Sequence, residues 1–189
     1  LRDRHMADTL AALSGHLQQQ GRTGKIIAWE HNSHIGDARA TQRGDHDELN
    51  VGQLVRQRHG DDCVLIGLTT YSGTVTAAST WDGIADRKRV RPALPGSYEH
   101  LLHECGLDRI ILNMHDDRLI DALSEPRLER AIGVIYLPDS ERISHYFYCQ
   151  LPQQFDYVIH IDETTALEPL DRTSHWEKDV VPETYPFGV

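Results

Sequence analysis

The sequence predicts an α/β fold in which a largely parallel sheet is flanked by helices and interrupted by a β-hairpin excursion. Two observations predict it. Apolar runs typical of buried strands alternate along the chain with segments whose apolar residues recur at helical spacing. The chain is also long enough to bury a core, because it has 189 residues and 39% of them are hydrophobic.

The first element is a helix. Its apolar residues recur at steps of four, three and four, at Met6, Leu10, Leu13 and Leu17. The helix is expected to end near Gly21. Because the pattern is already running at Leu1, we expect that the chain lacks N-terminal sequence.

Two buried strands follow, separated by a loop and a helix. Residues 25–31 contain the run Ile-Ile-Ala-Trp and are predicted to form an interior strand. A polar loop is expected over residues 32–47, and the apolar residues at 49–55 predict a helix that stops at Gly60. Residues 63–70 predict the second buried strand.

The next segment predicts the hairpin. Residues 73–79 and 88–91 form its two arms, and Trp81-Asp82-Gly83 forms its turn. Ser97 is a suitable N-cap for a short helix that ends at Gly106.

The remaining elements are three strands, one helical turn and a tail. The strands are predicted at residues 109–114, 131–136 and 157–161, and the helical turn at 118–123. Residues 166–189 are expected to be an extended tail because they combine prolines with little periodicity. The sequence contains no repeat or linker, which favours one domain over residues 1–165.

Polar side chains follow the first predicted strand in the run Glu30-His31-Asn32-Ser33-His34. Ligands of open α/β sheets bind at the carboxyl ends of the strands. Burying polar groups costs free energy unless they are paired, so this run predicts a lined pocket, with Glu30, His31 and His34 at or beside the deepest cleft. The two imidazoles could act as general acid and base, bind an oxyanion or ligate a metal.

Several blocks of the sequence, in the same order, resemble the erythromycin esterase family. The first block, Lys25-Ile-Ile-Ala-Trp-Glu-His-Asn-Ser-His-Ile-Gly-Asp-Ala-Arg-Ala-Thr41, resembles the signature of that family. Further similar blocks lie at residues 50–54, 67–75, 91–98, 127–136 and 155–162. The resemblance covers about residues 1–165 and identifies them as the C-terminal part of such a domain.

The resemblance implies a hydrolase that does not use a serine nucleophile. Named members of the family open the macrolactone ring of erythromycin with a water molecule activated by histidine, which relates the family to macrolide antibiotic resistance. The site carried over to this chain is His31 and His34, with Glu30 beside them as the group that tunes them. The principal base of the family lies in an earlier Gly-Glu-x-x-His-Gly type of motif, which this sequence does not contain.

Three further residues are candidates for binding the substrate. Tyr71 follows the second predicted strand, Asn32 stands inside the histidine motif, and Arg91 precedes Pro92. Tyr71 could equally be structural, and Arg91 is more typical of a simple salt bridge. His160 lies in an apolar run and is expected to be a hydrogen-bonded core histidine.

The composition of the chain argues against nucleic acid and membranes as partners. The formal charge of −10 argues against nucleic acid, since a phosphate backbone requires clustered Lys and Arg. No apolar run is long enough to span a membrane, and no segment of these residues has the basic-then-apolar pattern of a signal peptide. Three cysteines without a CxxC pair are typical of reduced, mostly buried thiols in a cytoplasmic protein.

We expect neither a cofactor nor a closed metal site. There is no Gly-x-Ser-x-Gly motif and no glycine-rich phosphate loop. The partner that the resemblance implies is a small ester or lactone, and the oligomeric state is left open. A relative that binds a sugar or another small polar ligand without turnover is the alternative, and a metal site formed by His31, His34 and carboxylates is a third hypothesis.

Overall fold

A computed structural model describes residues 1–46 and 48–169 of the chain. The helices of these residues are α1 (Arg2–Gln19), α2 (Asn32–Ile35), α3 (Val51–His59), α4 (Tyr98–His103), α5 (Asp117–Ala122), α6 (Glu141–Ser144) and α7 (Leu151–Gln154). The strands are β1 (Ile66–Ala77), β2 (Asp86–Val90), β3 (Arg109–Asn113), β4 (Arg127–Arg130), β5 (Tyr146–Cys149) and β6 (Tyr157–Thr164). Short 3-10 turns lie at Ala38–Ala40, Gly44–His46, Gly60–Asp62 and Pro138–Ser140.

The predicted α/β class is confirmed, because a central sheet is flanked by helices. Four strands form this sheet in the order β2-β1-β6-β3, and β4 pairs with β5 in a smaller sheet. The predicted hairpin is also present. Strands β1 and β2 pair antiparallel from Gly73↔Val90 to Ala77↔Asp86. Asp82 in the connecting turn has a φ of 59°, which is the left-handed region that tight turns require.

The chain divides into two compact units. Unit 1 consists of Leu1–Leu68, Ile111–Leu128 and Phe147–Ile159. Unit 2 consists of Thr69–Ile110, Glu129–Tyr146 and the described residues from His160 on. None of the helices within residues 1–46 and 48–169 combines the length and the apolar character that crossing a membrane requires.

A buried carboxylate organises the interior of unit 1. The side chain of Asp156 accepts a hydrogen bond of 2.6 Å from the backbone N–H of Leu65 and forms an ion pair with Arg56. The backbone carbonyl of Asp156 accepts a bond of 2.8 Å from Met114. One residue therefore ties helix α3, the approach to β1 and the end of β3 together. The pairing offsets the cost of burying its charge.

The interior of unit 2 is formed around the hairpin. Ala77 of β1, Val90 of β2 and Tyr136 pack together and are almost fully buried. Tyr98 at the start of α4 is fully buried as well. As predicted, Ser97 caps α4, since its hydroxyl accepts the N–H of His100 at 3.2 Å.

Most predicted elements are confirmed. The opening helix, the helix before Gly60, the short helix after Ser97, the third and fifth strands and the helical turn are all present, as α1, α3, α4, β3, β6 and α5. The predicted tail from 166 to 189 falls outside the described residues from position 170 on.

The predicted strand at residues 25–31 is wrong. These residues have no regular secondary structure, and Ile27 and Trp29 are 94% and 87% exposed. A strand needs a neighbour for its backbone hydrogen bonds. Within residues 1–46 and 48–169 no strand pairs with this run, so its apolar side chains remain in solvent. The polar loop expected after it instead begins with helix α2.

Two further strand predictions required correction. The strand predicted at 63–70 begins only at Ile66, and its first residues alternate between exposed and buried, so one face is not covered. The strand predicted at 131–136 lies earlier, at Arg127–Arg130. Residues 131–136 make only an isolated bridge between Ala78 and Ile135 in the described part of the chain.

A close backbone approach fixes the position of α2 against α3. A Cβ built on Gly52 of α3 would lie 2.1 Å from the carbonyl oxygen of Ile35, a backbone atom that cannot move aside. We expect Gly52→Ala to lower the free energy of unfolding by about 1–3 kcal/mol through overpacking. Gly15→Ala in α1 is the matched control, because a Cβ there meets nothing within 4 Å. It should raise stability by about 0.5–1 kcal/mol. Equal urea midpoints for the two variants would contradict the close contact.

Candidate functional site

The histidine motif lies on a short helix of unit 1. His31 is the N-cap of α2, with φ −71° and ψ 150°, and its ring Nδ1 accepts the backbone N–H of Ser33 at 3.1 Å. A ring nitrogen that accepts this bond is unprotonated, so the neutral ring carries its proton on Nε2. His34 is the third residue of the same helix. The motif therefore begins a helix and does not end a strand.

Two buried amide side chains hold this helix in place. The amide of Asn32 forms two bonds with the backbone of Leu68: its nitrogen donates to the carbonyl at 2.8 Å, and its oxygen accepts the N–H at 3.0 Å. The amide nitrogen of Asn50 donates to the carbonyl oxygens of Ser33 at 3.0 Å and Gly36 at 2.5 Å. Asn32 thus positions the helix and also lines the cavity beside it, and its predicted role in binding the substrate stays a prediction.

The ring of His34 has polar partners on both nitrogens. Nδ1 lies 3.1 Å from Oδ1 of Asp3, and Nε2 lies 3.0 Å from a guanidinium nitrogen of Arg2. An arginine can only donate, so Nε2 accepts, and Nδ1 donates its proton to Asp3. The His34 side chain is 24% exposed, so it is accessible from solvent.

Glu30 adds a poorly solvated carboxyl group to this cluster. Its Oε2 is buried and has no hydrogen-bond partner among the described residues. Burial raises the pKa of Glu30, while the nearby His34 and Arg2 lower it and Asp3 raises it. The carboxyl therefore retains its proton to a higher pH than an ordinary glutamate does.

A cavity of about 170 Å³ opens beside His34. Its lining includes Arg2, Asp3, Asn32, Ser33, His34, Arg43, Glu48 and Phe147. Glu30 and His31 are not among the lining residues. The part of the motif that lines the cavity is Asn32, Ser33 and His34. The cavity is smaller than the roughly 300–1,000 Å³ of sites that enclose a drug-sized ligand.

The other two predicted binding residues belong to unit 2. Tyr71 stacks on the ring of His103 with the centroids 3.6 Å apart, and Arg91 donates to the carbonyl of Pro138 at 3.0 Å. The structure therefore does not bring them together with His31 and His34 within one unit. Their backbone carbonyls bind a buried arginine, and a role of their side chains in binding the substrate stays a prediction.

That arginine, Arg130, is the centre of a buried polar network. One guanidinium nitrogen donates to the carbonyl of Arg91 at 2.7 Å and to Glu141 at 3.0 Å. The other donates to the carbonyls of Thr70 and Tyr71 at 2.6 and 2.7 Å. The ion pair is almost completely shielded from solvent. The network explains why a charged residue is tolerated at the end of β4.

A second buried carboxyl, Glu99, lies beside this network. Its Oε1 accepts the backbone N–H of Arg130 at 2.8 Å, whereas Oε2 is buried and has no hydrogen-bond partner within residues 1–46 and 48–169. Burial raises the pKa of Glu99 to about 7, and the neighbouring charge of Glu129 also raises it. The group is therefore half-protonated near neutral pH.

We expect stability to fall as the pH rises from about 4.5 to about 7, because the folded state holds the Glu99 proton after the unfolded state has lost it. Glu99→Gln keeps an acceptor for Arg130 and removes the titration. In the parent, the free energy of unfolding should fall by on the order of 3 kcal/mol over this range, at about 1.4 kcal/mol per pKa unit. In Glu99→Gln the decrease should be smaller. Urea unfolding at pH 5 and pH 8 measures it. The same loss in the variant and the parent would show that Glu99 is not responsible.

The remaining histidines and cysteines have mainly structural surroundings. His160 is fully buried, as expected, and its ring bonds Thr69 at 3.0 Å. His103 bonds Asp162 at 2.8 Å. All three cysteines are free, and Cys105 is exposed. Within residues 1–46 and 48–169 no three His, Cys, Asp or Glu side chains are grouped so that they could hold a metal ion.

Sequence reasoning missed Arg2 and Asp3. A signal was present for Asp3, because it lies three and seven residues before Met6 and Leu10 and therefore extends the apolar stripe of α1. A carboxylate on the inward face of a helix needs a partner there. His34 is that partner.

Comparison with known proteins finds a matching family model and a related enzyme. The model of the erythromycin esterase family matches residues 1–164. Erythromycin esterase type II of Escherichia coli is 26% identical over 163 residues, which are 78% of this chain and 38% of that protein. The chain thus spans well under half of the length of this relative.

Solved structures show the same fold. A Bacillus cereus protein superposes with a TM-score of 0.71 at 21% identity, and a succinoglycan biosynthesis protein with 0.68 at 23%. In both cases 86% of this chain and 38% of the other chain are covered. An erythromycin esterase mutant in its open conformation has a TM-score of 0.55 at 16% identity, with 86% and 36% coverage.

Proposed function

Because this chain belongs to the erythromycin esterase family, we propose that residues 30–34 form the histidine-bearing part of a hydrolase site that cleaves an ester or a lactone. The attacking water is activated by histidine. His34 is the imidazole that faces the substrate, and Glu30 and His31 set its surroundings. The observation that carries the proposal is the His34 ring, which lines the cavity and has polar partners on both nitrogens.

The chemistry requires two proton transfers. A base removes a proton from water as the oxygen attacks the carbonyl carbon, and an acid protonates the departing alkoxide. In this proposal, the base is the histidine that the family resemblance assigns to a motif outside residues 1–189. His34 takes up a proton from solvent at Nε2 and donates it to the departing alkoxide oxygen, while the base returns the proton it took from water to solvent. Glu30 supports this role, since a carboxyl with a raised pKa places less negative charge beside a developing alkoxide.

The substrate is proposed to be an ester or a macrolactone of which this cavity holds only the reacting group. The cavity volume of about 170 Å³ is too small to enclose a macrolide. The rest of such a substrate must contact other parts of the protein. This agrees with the small share of the curated relative that the chain spans.

The test is an assay of the full natural polypeptide that contains residues 1–189, alongside the 189-residue chain alone. Aryl esters and macrolactones serve as substrates, and mass spectrometry detects the ring-opened acid. We expect the full polypeptide to hydrolyse at least one of them. The chain alone should be slower by about 10²–10⁴-fold, the usual contribution of a general base. Equal rates would contradict a base outside these residues, and binding without turnover would favour a non-catalytic relative.

A further inference from the structure

We propose that Asp3 is a positioning residue that fixes the orientation and the tautomer of His34. Its role in catalysis rests on the proposed function, but the tautomer can be measured without any substrate. Asp3 lies in the first turn of α1, and its carboxylate contacts Nδ1 of His34 at 3.1 Å.

The geometry permits one arrangement of protons on the neutral ring. Arg2 has no acceptor, so the contact of 3.0 Å to Nε2 requires an unprotonated Nε2. The proton must then lie on Nδ1, where Asp3 accepts it. The bond at one ring nitrogen determines the state of the other. Asp3 thereby leaves Nε2 as the unprotonated nitrogen of the neutral ring.

The two partners of His34 differ in their exposure to solvent. The Asp3 side chain is mostly shielded from solvent, whereas the Arg2 side chain is 71% exposed. Arg2 can therefore leave Nε2, so that this nitrogen is free to take up the proton that it donates to the substrate oxygen, while Asp3 remains at Nδ1. A carboxylate in that position also stabilises the imidazolium that forms when Nε2 takes up a proton.

The surrounding charges belong to the same cluster. Glu30 responds to the charges of His34, Asp3 and Arg2 together. Asp3 is the only member of this set that bonds Nδ1 among the described residues. Removing Asp3 should therefore release the ring, whereas removing Arg2 should not.

The tautomer is measured by ¹⁵N NMR of histidine-labelled 189-residue chain at pH 8, above the usual histidine pKa of about 6.5. A His34→Gln sample assigns the signal. We expect the Nδ1–H form in the parent and in Arg2→Ala, and the Nε2–H form in the double variant Arg2→Ala/Asp3→Ala. An Nε2–H parent, or a double variant that keeps the Nδ1–H form, would overturn the proposal.

A kinetic arm uses the full natural polypeptide. Asp3→Asn should lower kcat by about 10–100-fold, the usual effect of a residue that supports an active-site ligand, with a smaller change in KM. The two arms separate the two proposals. If the NMR shows the expected tautomers but the parent polypeptide does not hydrolyse esters, the proposed function is contradicted and the assignment of Asp3 as the residue that fixes the His34 tautomer is retained. Hydrolysis that is unaffected by Asp3→Asn would overturn the role of Asp3 in catalysis.

Discussion

Replacing His34 with asparagine in the full natural polypeptide is expected to lower kcat for ester hydrolysis by about 10²–10⁴-fold, with a much smaller change in KM. The imidazole lines the cavity and is proposed to act on the substrate oxygen as the carbon–oxygen bond breaks. An interaction made mainly in the transition state affects kcat more than binding. Initial rates over a range of substrate concentrations provide both constants.

His16→Asn is the matched control, because it makes the same substitution at an exposed histidine of α1 whose ring contacts Gln20. It should leave both constants unchanged. A His34→Asn variant as fast as the parent would show that the site has been placed wrongly. Thermal melts of both variants exclude a loss of activity through unfolding.

His31 can be tested in the same assay without disturbing its capping role. Its side chain accepts the N–H of Ser33, and asparagine is itself a favoured N-cap residue. His31→Asn should therefore keep the melting temperature while lowering kcat more than it raises KM. His31→Ala removes the cap as well and should cost about 0.5–2 kcal/mol of stability.

Replacing Arg130 with methionine is expected to lower the free energy of unfolding by about 3–5 kcal/mol, the cost of breaking a buried ion pair by removing one partner. Methionine fills part of the space but leaves the carboxylate of Glu141 buried without its cation. It also leaves the carbonyls of Thr70, Tyr71 and Arg91 without their donor. Urea unfolding followed by circular dichroism measures the loss.

Arg118→Met is the control for this prediction. Arg118 also pairs with a carboxylate, Asp116, at 2.8 Å, but its side chain is 90% exposed. Exposed pairs contribute roughly 0.2–1 kcal/mol because water screens them. Similar losses in Arg130→Met and Arg118→Met would mean that the buried network contributes little.

Local sequence signals predicted most elements. Ser97 was correctly predicted as an N-cap because the hydroxyl at this position satisfies a backbone N–H of the same turn. The hairpin around Asp82 was also predicted correctly, because the conformation of its turn depends on residues that are adjacent in sequence. The importance of the His31–His34 motif also came from the sequence, through the family resemblance, and the role of its residues stays a prediction.

Long-range contacts could not be predicted in this way. Residues 25–31 have the composition of a strand, but a strand forms only where a neighbouring strand supplies hydrogen bonds, and composition does not contain that information. Tyr71 and Arg91 were predicted to bind the substrate from their local positions. That role stays a prediction, whereas the bonds that their carbonyls accept from Arg130, which is distant in sequence, had no local signal.

The sequence by itself therefore determined the α/β class, the helices with strong caps, the hairpin and the family. The tertiary structure decided which groups surround His34. Asp3 and His34 are 31 residues apart, and only the packing of α1 brings the carboxylate to the ring. Periodicity indicates which face of a helix is buried, but the partner of that face is determined by packing between distant segments.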